Sequence, residues 1–358
     1  MHYLLLLIFV AISVIANDTL IQKALNKGLK PIPKDFEVLK QQVDDENNPM
    51  TIPKILLGKK LFFDKNLSKD RSLACAKCHD IKKGGEDGKP TAIGYLNQEN
   101  PSHLNSPTVL NTAYSKHLFW DGRVSTLREQ AKGPMQAHFE MASTPELVEE
   151  RVKENSEYRE KFNKIFGDDS ITFDNITKVI AVYEKTLVTR GRYDDFLDGN
   201  INALNTQEKR GLNLFIDMGC KGCHFGPAIG GQEMQKFPLR DYNSFLNLTT
   251  TFNEKTKGRS IEDISFNFKM YHPYPFENKG GFMGKDGQRT FRVPILRDIS
   301  KTGPYFHNGV VKDLRESIEI MSKNQVGVDL SKSQLDALEA FLKSLNGELV
   351  DYNLSEVK

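Results

Sequence analysis

The sequence predicts a mainly α protein built as two helical domains that share one interface. Three observations carry this expectation. Apolar residues recur at helical spacing in several segments, while strand signals are scarce. A chain of 358 residues is long enough for two domains with separate cores. A short arrangement also recurs in both halves. Leu57-Gly-Lys-Lys-Leu-Phe62 precedes one cysteine pair, and Thr206-Gln-Glu-Lys-Arg-Gly-Leu-Asn-Leu-Phe215 precedes the other. The expected division is residues 17–190 and 191–358, with the last helix free to pack back on the first domain.

The elements follow in order. Met1 and His2 lead into an apolar run from Tyr3 to Ala16, too short to span a bilayer comfortably, since a helix needs about 20 apolar residues. Its small residues Val14 and Ala16 suit cleavage before Asn17, so residues 1–16 read as a secretory signal. No Lys or Arg precedes the run, and an uncleaved anchor or a buried first helix remain the other readings. No later segment is apolar enough to cross a membrane. An exported, periplasmic protein without stable membrane insertion is expected.

A polar, Pro-containing stretch runs from Lys30 to Pro53, then a helix from Ile55 to Phe62. Gly84 to Pro90 reads as loop, and residues 91–119 as irregular, with Pro101 and Pro107. Thr126 to Lys132 is helical in composition. Ser143-Thr-Pro-Glu146 is a helix start, with a hydroxyl cap, Pro in the first turn and then an acid, continuing through Val148 and Val152. A further helix is expected from Ile176 to Val188, with Val179, Ile180, Val182, Tyr183 and Leu187 on its inner side. Pro227 to Arg297 is loop-like, and Leu330 to Leu345 fits a final amphipathic helix. Charge is nearly balanced, with 49 Lys plus Arg against 47 Asp plus Glu, which gives no reason to expect nucleic acid as a partner.

The four cysteines define the chemistry. They fall in Cys75-Ala-Lys-Cys78-His79 and Cys220-Lys-Gly-Cys223-His224, and there is no fifth. Two thiols at this spacing can each add to a vinyl group on one edge of a porphyrin, and the following imidazole can then ligate the iron. Four thiolates around zinc are the main rival, but a zinc site does not require His after each second Cys. Two covalently bound haems c are therefore expected, held by Cys75, Cys78, Cys220 and Cys223, with His79 and His224 on the irons.

Together these residues resemble the bacterial di-haem cytochrome c peroxidase family. The resemblance covers nearly the whole mature chain. It rests on Leu61-Phe-Phe-Asp-Lys-Asn-Leu-Ser68, Ser106-Pro-Thr-Val-Leu-Asn111, Phe119-Trp-Asp-Gly-Arg123, Glu129-Gln-Ala-Lys-Gly-Pro134, Phe291-Arg-Val-Pro-Ile-Leu-Arg297 and Gly303-Pro-Tyr-Phe-His-Asn-Gly309. It implies two c-type cytochrome-like haem domains. The haem of Cys75, Cys78 and His79 would reduce hydrogen peroxide. The haem of Cys220, Cys223 and His224 would take electrons from a small donor such as cytochrome c.

The resemblance also implies roles for single residues. Met321 matches the sixth ligand of the second haem, a thioether that raises the potential; on position alone it reads as a core residue of a helix from Leu314 to Met321. Glu140 matches the catalytic acid–base, Gln130 the amide that places the peroxide, and Trp120 the aromatic bridge between haems. Asn105, Thr302 and Pro304 match a calcium site at the domain interface. His307 is expected to bond a propionate or a backbone group. A homodimer is compatible with the family.

One departure stands out. Many relatives carry a displaceable His on the first haem where this chain has Ala92-Ile93-Gly94-Tyr95. Three readings compete: a permanently open iron, Tyr95 as a phenolate ligand, or His103 in its place. Two rival functions also stand. Some di-haem relatives oxidise aromatic side chains of a partner protein, and a two-haem electron carrier would need neither Glu140 nor Gln130.

Overall fold

The computed structural model describes residues 19–239 and 274–354. The signal run therefore lies outside the described residues, as does part of the loop between Pro227 and Arg297. Among the described residues no helix is long and apolar enough to cross a membrane.

The chain is mainly helical. It begins with α1 (residues 19–26), α2 (Phe36–Val43), α3 (Ile52–Phe62) and a single turn, α4 (Cys75–Cys78). After the irregular stretch come α5 (Leu127–Gln136), α6 (Pro145–Glu154), α7 (Ser156–Phe166) and α8 (Phe173–Glu184). The second half carries α9 (Arg192–Leu197), α10 (Thr206–Asp217), α11 (Leu314–Met321) and α12 (Lys332–Ser344). Among the described residues, four strands of three residues each, β1 (Thr189–Gly191), β2 (Met234–Lys236), β3 (Thr290–Arg292) and β4 (Gly347–Leu349), form two antiparallel pairs, β1 with β4 and β2 with β3.

Local chemistry explains the helix starts. Thr126 accepts from the Glu129 N–H, and Thr144 from the Leu147 N–H with Pro145 in the first turn, where a missing N–H does no harm. Asn205 with Glu208 and Ser331 with Gln334 form reciprocal capping boxes at α10 and α12. Two expected ends shift. α5 passes Lys132 and reaches Gln136, because Ala131 and Met135, one turn apart, are both buried. α8 stops at Glu184, short of Val188. The Thr186 and Leu187 N–H groups bond back to Tyr183 and Glu184, and the chain turns into β1.

The internal repeat has a packing cause. α3 lies against α8 and α10 against α12, and a Cβ at Gly58 would overlap the Val179 carbonyl. A Cβ at Gly211 would overlap the Ala337 carbonyl in the same way. In each half a glycine lets the helix before the cysteine pair press onto its partner, and Leu61-Phe62 or Phe215 then fills the core.

Two main cores result, one around α3, α6, α7 and α8, the other around α9, α10, α11 and α12, and a small third cluster joins Leu118, Leu127 and Ala181. The expected division needs correcting at both ends. Ile21, Ala24 and Leu29, placed by sequence in the first domain, pack in the second core. The last helix does not pack back on the first domain; it lies on α10. The segment after it makes the return: β4 pairs with β1, and Tyr352 packs in the first core against Phe36, ring centroids 5.9 Å apart. Buried polar groups bridge the junction as well. Arg297 donates to Asp194 at 2.7 and 2.8 Å, and Asp194 also accepts from the Ile32 N–H at 2.8 Å.

Candidate active site

The first cysteine pair opens the helical turn α4, capped by His79, whose N–H donates to Cys75 O at 3.0 Å. His79 Nδ1 lies 3.3 Å from Gly85 O, and His224 Nδ1 lies 3.4 Å from Ile229 O. Each carbonyl orients the ring and leaves Nε2 available to a metal. Burial holds both imidazoles below their usual range, His224 to about 4, so both are neutral and able to ligate. Burial raises the free thiols, Cys78 to about 12 and Cys220 to about 11.

Each motif opens into its own cavity. The first, of about 350 Å³, is lined by Cys75, Cys78, His79, Gln130 and Glu140. The second, of about 300 Å³, is lined by Cys220, Cys223, His224, His307 and Met321. The two cysteine pairs thus lie in different cavities, which removes a shared four-thiolate zinc site. Each cavity offers what a covalent haem needs: two thiols, a neutral imidazole and an apolar wall.

Trp120 and residues Asn105 to Thr108 line both cavities and form the wall between them. Trp120 is buried, and its indole Nε1 donates to Asn105 O at 2.9 Å. The His307 ring lies 6.4 Å away, and the Arg292 guanidinium sits 5.8 Å from the indole centre. His307 is buried, held neutral near a pKa of about 4, and its Nε2 pairs with Asn278 Oδ1 at 2.9 Å. Asn105 Nδ2 donates to Lys89 O at 2.9 Å and Pro304 O at 3.2 Å, so Asn105 and Pro304 are neighbours. Thr302 lines the second cavity and bonds back to Ile299.

Glu140 sits on the turn after α5, where its N–H donates to Ala137 O and its carbonyl accepts from Tyr95 N at 2.7 Å. Burial raises its carboxyl, and Arg123, another lining residue, opposes the rise. Tyr95 therefore meets Glu140 through the backbone. Its ring does not line the cavity; it lies under the Lys69 ammonium at 5.4 Å. His103 is buried and likewise does not line the cavity. Gly94 is packed so closely on this turn that a Cβ would overlap the Phe139 and Glu140 carbonyls. Gly94→Ala should displace Glu140 and lower peroxide turnover by at least about tenfold, since misplacement of about 1 Å can cost about 10²-fold. Steady-state assays on protein with a normal haem spectrum would check this, and unchanged turnover would mean the turn yields without consequence.

Two lining residues escaped sequence reasoning. Arg292, which lines the second cavity, stands inside the Phe291–Arg297 motif but was given no role of its own. Glu184 did leave a signal, because Ile176, Ile180 and Glu184 are spaced four apart and share the inner stripe of α8.

Two cavities, each closed by a C-x-x-C-H turn and sharing the wall of Trp120 and Asn105 to Thr108, define a di-haem c-type cytochrome. A family profile described as di-haem cytochrome c peroxidase matches residues 53–202. Over 92% of this chain and 87% of the relative, the sequence is 39% identical to a cytochrome c551 peroxidase of Nitrosomonas europaea. It is 37% identical to the cytochrome c551 peroxidase of Pseudomonas aeruginosa, over 89% of this chain and 84% of that one. A crystal structure of a MauG-like protein associated with microbial copper homeostasis shares the fold, with a TM-score of 0.69 at 24% identity, covering 91% of this chain and 95% of that chain. The chain belongs to the di-haem cytochrome c peroxidase family. It is a peroxidase, an oxidoreductase whose family implies two haems c.

Proposed function

We propose that the protein reduces hydrogen peroxide to water in the first cavity, drawing two electrons and two protons per peroxide. The electrons enter through the second cavity from a small donor such as cytochrome c. The observation that carries this is the partition of side chains: Glu140 and Gln130 line one cavity, and Met321 lines the other. Bound through Cys75, Cys78, Cys220 and Cys223 and ligated by His79 and His224, the haems supply the one-electron chemistry. The chain's own groups do the rest. Gln130 orients peroxide through its amide. Ionised Glu140 accepts a proton from one peroxide oxygen and returns it to the other, which departs as water. Trp120, buried between the cavities, shortens the electron's path.

The apolar leader supports a periplasmic site for this reaction, where covalent attachment prevents loss of haem. Asn105 and Pro304, already in contact, would hold calcium with Thr302 once the Asn105 amide turned its oxygen inward. Peroxide turnover with a reduced cytochrome tests the function. A carrier would show none, and an enzyme for a partner protein's side chains would show little without that partner.

Two expected results concern the haems directly. Denaturing mass spectrometry of exported protein should find two covalent haem masses and no disulfide; one haem or a disulfide would overturn the di-haem arrangement. The oxidised protein should react with peroxide before any reductant is added, because neither Tyr95 nor His103 lines the first cavity. A fully low-spin, inert oxidised form would mean that one of these side chains, His103 first, moves onto the iron.

A further inference from the structure

Glu184 has no part in the reaction above, yet it ends α8 at the first cavity, which it lines together with Cys75 and His79. It is 5% exposed, and its Oε2 has no hydrogen-bond partner among the described residues. The charged groups on the elements around it are engaged elsewhere. Arg128, Lys132 and Lys178 pair with Asp174, Lys60 pairs with Glu157, Glu149 pairs with Lys153, and Lys54 bonds Asn48 and Pro49 O. Lys77 lines the cavity mouth and is exposed, and Lys185 feels Asp44 and Asp45. Glu140 lines the same cavity, and the titratable groups that feel Glu184 are Cys75, which would be a thioether, and the neighbouring Tyr183, whose phenol is pushed up to about 12, chiefly by burial.

A buried carboxylate without a donor is stable only if positive charge reaches the same cavity. We propose that Glu184 is a redox-linked proton-holding group for the haem of the first cavity, keeping its proton while the iron is reduced and releasing it when the iron is oxidised. This rests on the first cavity holding a haem. The balance is simple. One electron leaves the iron for the oxidising equivalent that peroxide supplies, and one proton leaves the Glu184 carboxyl for solvent. Re-reduction returns both, and no other bond changes. With no added positive charge in the cavity, burial pushes Glu184 up to about 8, so it is neutral at neutral pH. The extra positive charge of oxidised iron lowers it.

Between these two values the proton leaves with the electron, so higher pH favours the oxidised haem. At a fixed applied potential the ratio of reduced to oxidised first haem should fall about tenfold per pH unit, levelling off above about 8. Spectroelectrochemical titration of the holoenzyme at a series of pH values reads this directly. In Glu184→Gln the fall should vanish for the first haem, while the second haem is unchanged. In Glu140→Gln it should persist, which separates the two acids. A fall retained in Glu184→Gln overturns the proposal. Where Glu184→Gln folds poorly, an oxidised-minus-reduced infrared difference spectrum of Glu140→Gln protein at neutral pH replaces it. Loss of a protonated carboxyl band on oxidation is expected, and its absence overturns the proposal. A haem count of one, with nothing on Cys75 and Cys78, would instead strike the reading of the first cavity itself.

Discussion

Glu140→Gln should lower peroxide turnover by about 10²–10⁴-fold, the ordinary worth of a single acid–base group. The substitution keeps shape and hydrogen bonding and removes the ability to accept and return a proton. Haem content and the spectrum of the second haem should stay as in the wild type, because Glu140 lines only the first of the two cavities. The pH dependence has a defined sign. Glu140 must be ionised to act as a base, and burial raises its carboxyl while Arg123 pulls it down. Activity should therefore fall as pH drops through that raised value. Arg123→Gln removes the lowering influence, so the acid limb of the rate profile should move to higher pH. Full turnover in Glu140→Gln would place the proton transfer on another group.

The features legible in the sequence were those with a short-range cause. Several helices were legible where apolar residues recurred every three or four positions, and Thr144-Pro145 marked a start through local capping, but α2, with Phe36, Leu39 and Val43 at that spacing, lay hidden in the stretch read as polar. The C-x-x-C-H turns carried their chemistry in five consecutive residues. The repeat of Gly58 and Gly211 was visible as a pattern, but its meaning, two helices pressed onto the carbonyls of Val179 and Ala337, needed the partner helices. The exchange of chain ends had no local signal. A three-residue strand at Gly347–Leu349 has no periodicity to read, and its partner Thr189–Gly191 lies far away in sequence. Tyr95 shows the same limit. Its position left a phenolate ligand as one of three readings, and only the fold places its ring beneath the Lys69 ammonium, away from the residues that line the first cavity.

Met321→His should give the second-largest effect, on electron entry and not on peroxide chemistry. Met321 ends α11, where the helix passes into a π-helical turn over Ser322–Val326, a local irregularity often found at functional sites. It lines the second cavity with His224, beside buried Leu314 and Ile318. Bound to the iron of the second haem, its thioether would favour the reduced state, whereas a second imidazole would favour the oxidised one. Axial ligands tune haem potentials over about 0.8 V, and about 59 mV is tenfold in a one-electron ratio. The ratio of reduced to oxidised second haem at the donor's potential should then fall by at least about a hundredfold, and donor-driven turnover should fall with it. The haem should remain six-coordinate and low-spin, and the first cavity should keep its reaction with peroxide when a strong chemical reductant replaces the protein donor. That split separates a ligand from a packing residue. If Met321 merely fills space beside Leu314, the exchange for His should loosen α11 and lower thermal stability while leaving the potential where it was. A potential unmoved by the substitution would assign Met321 to the core.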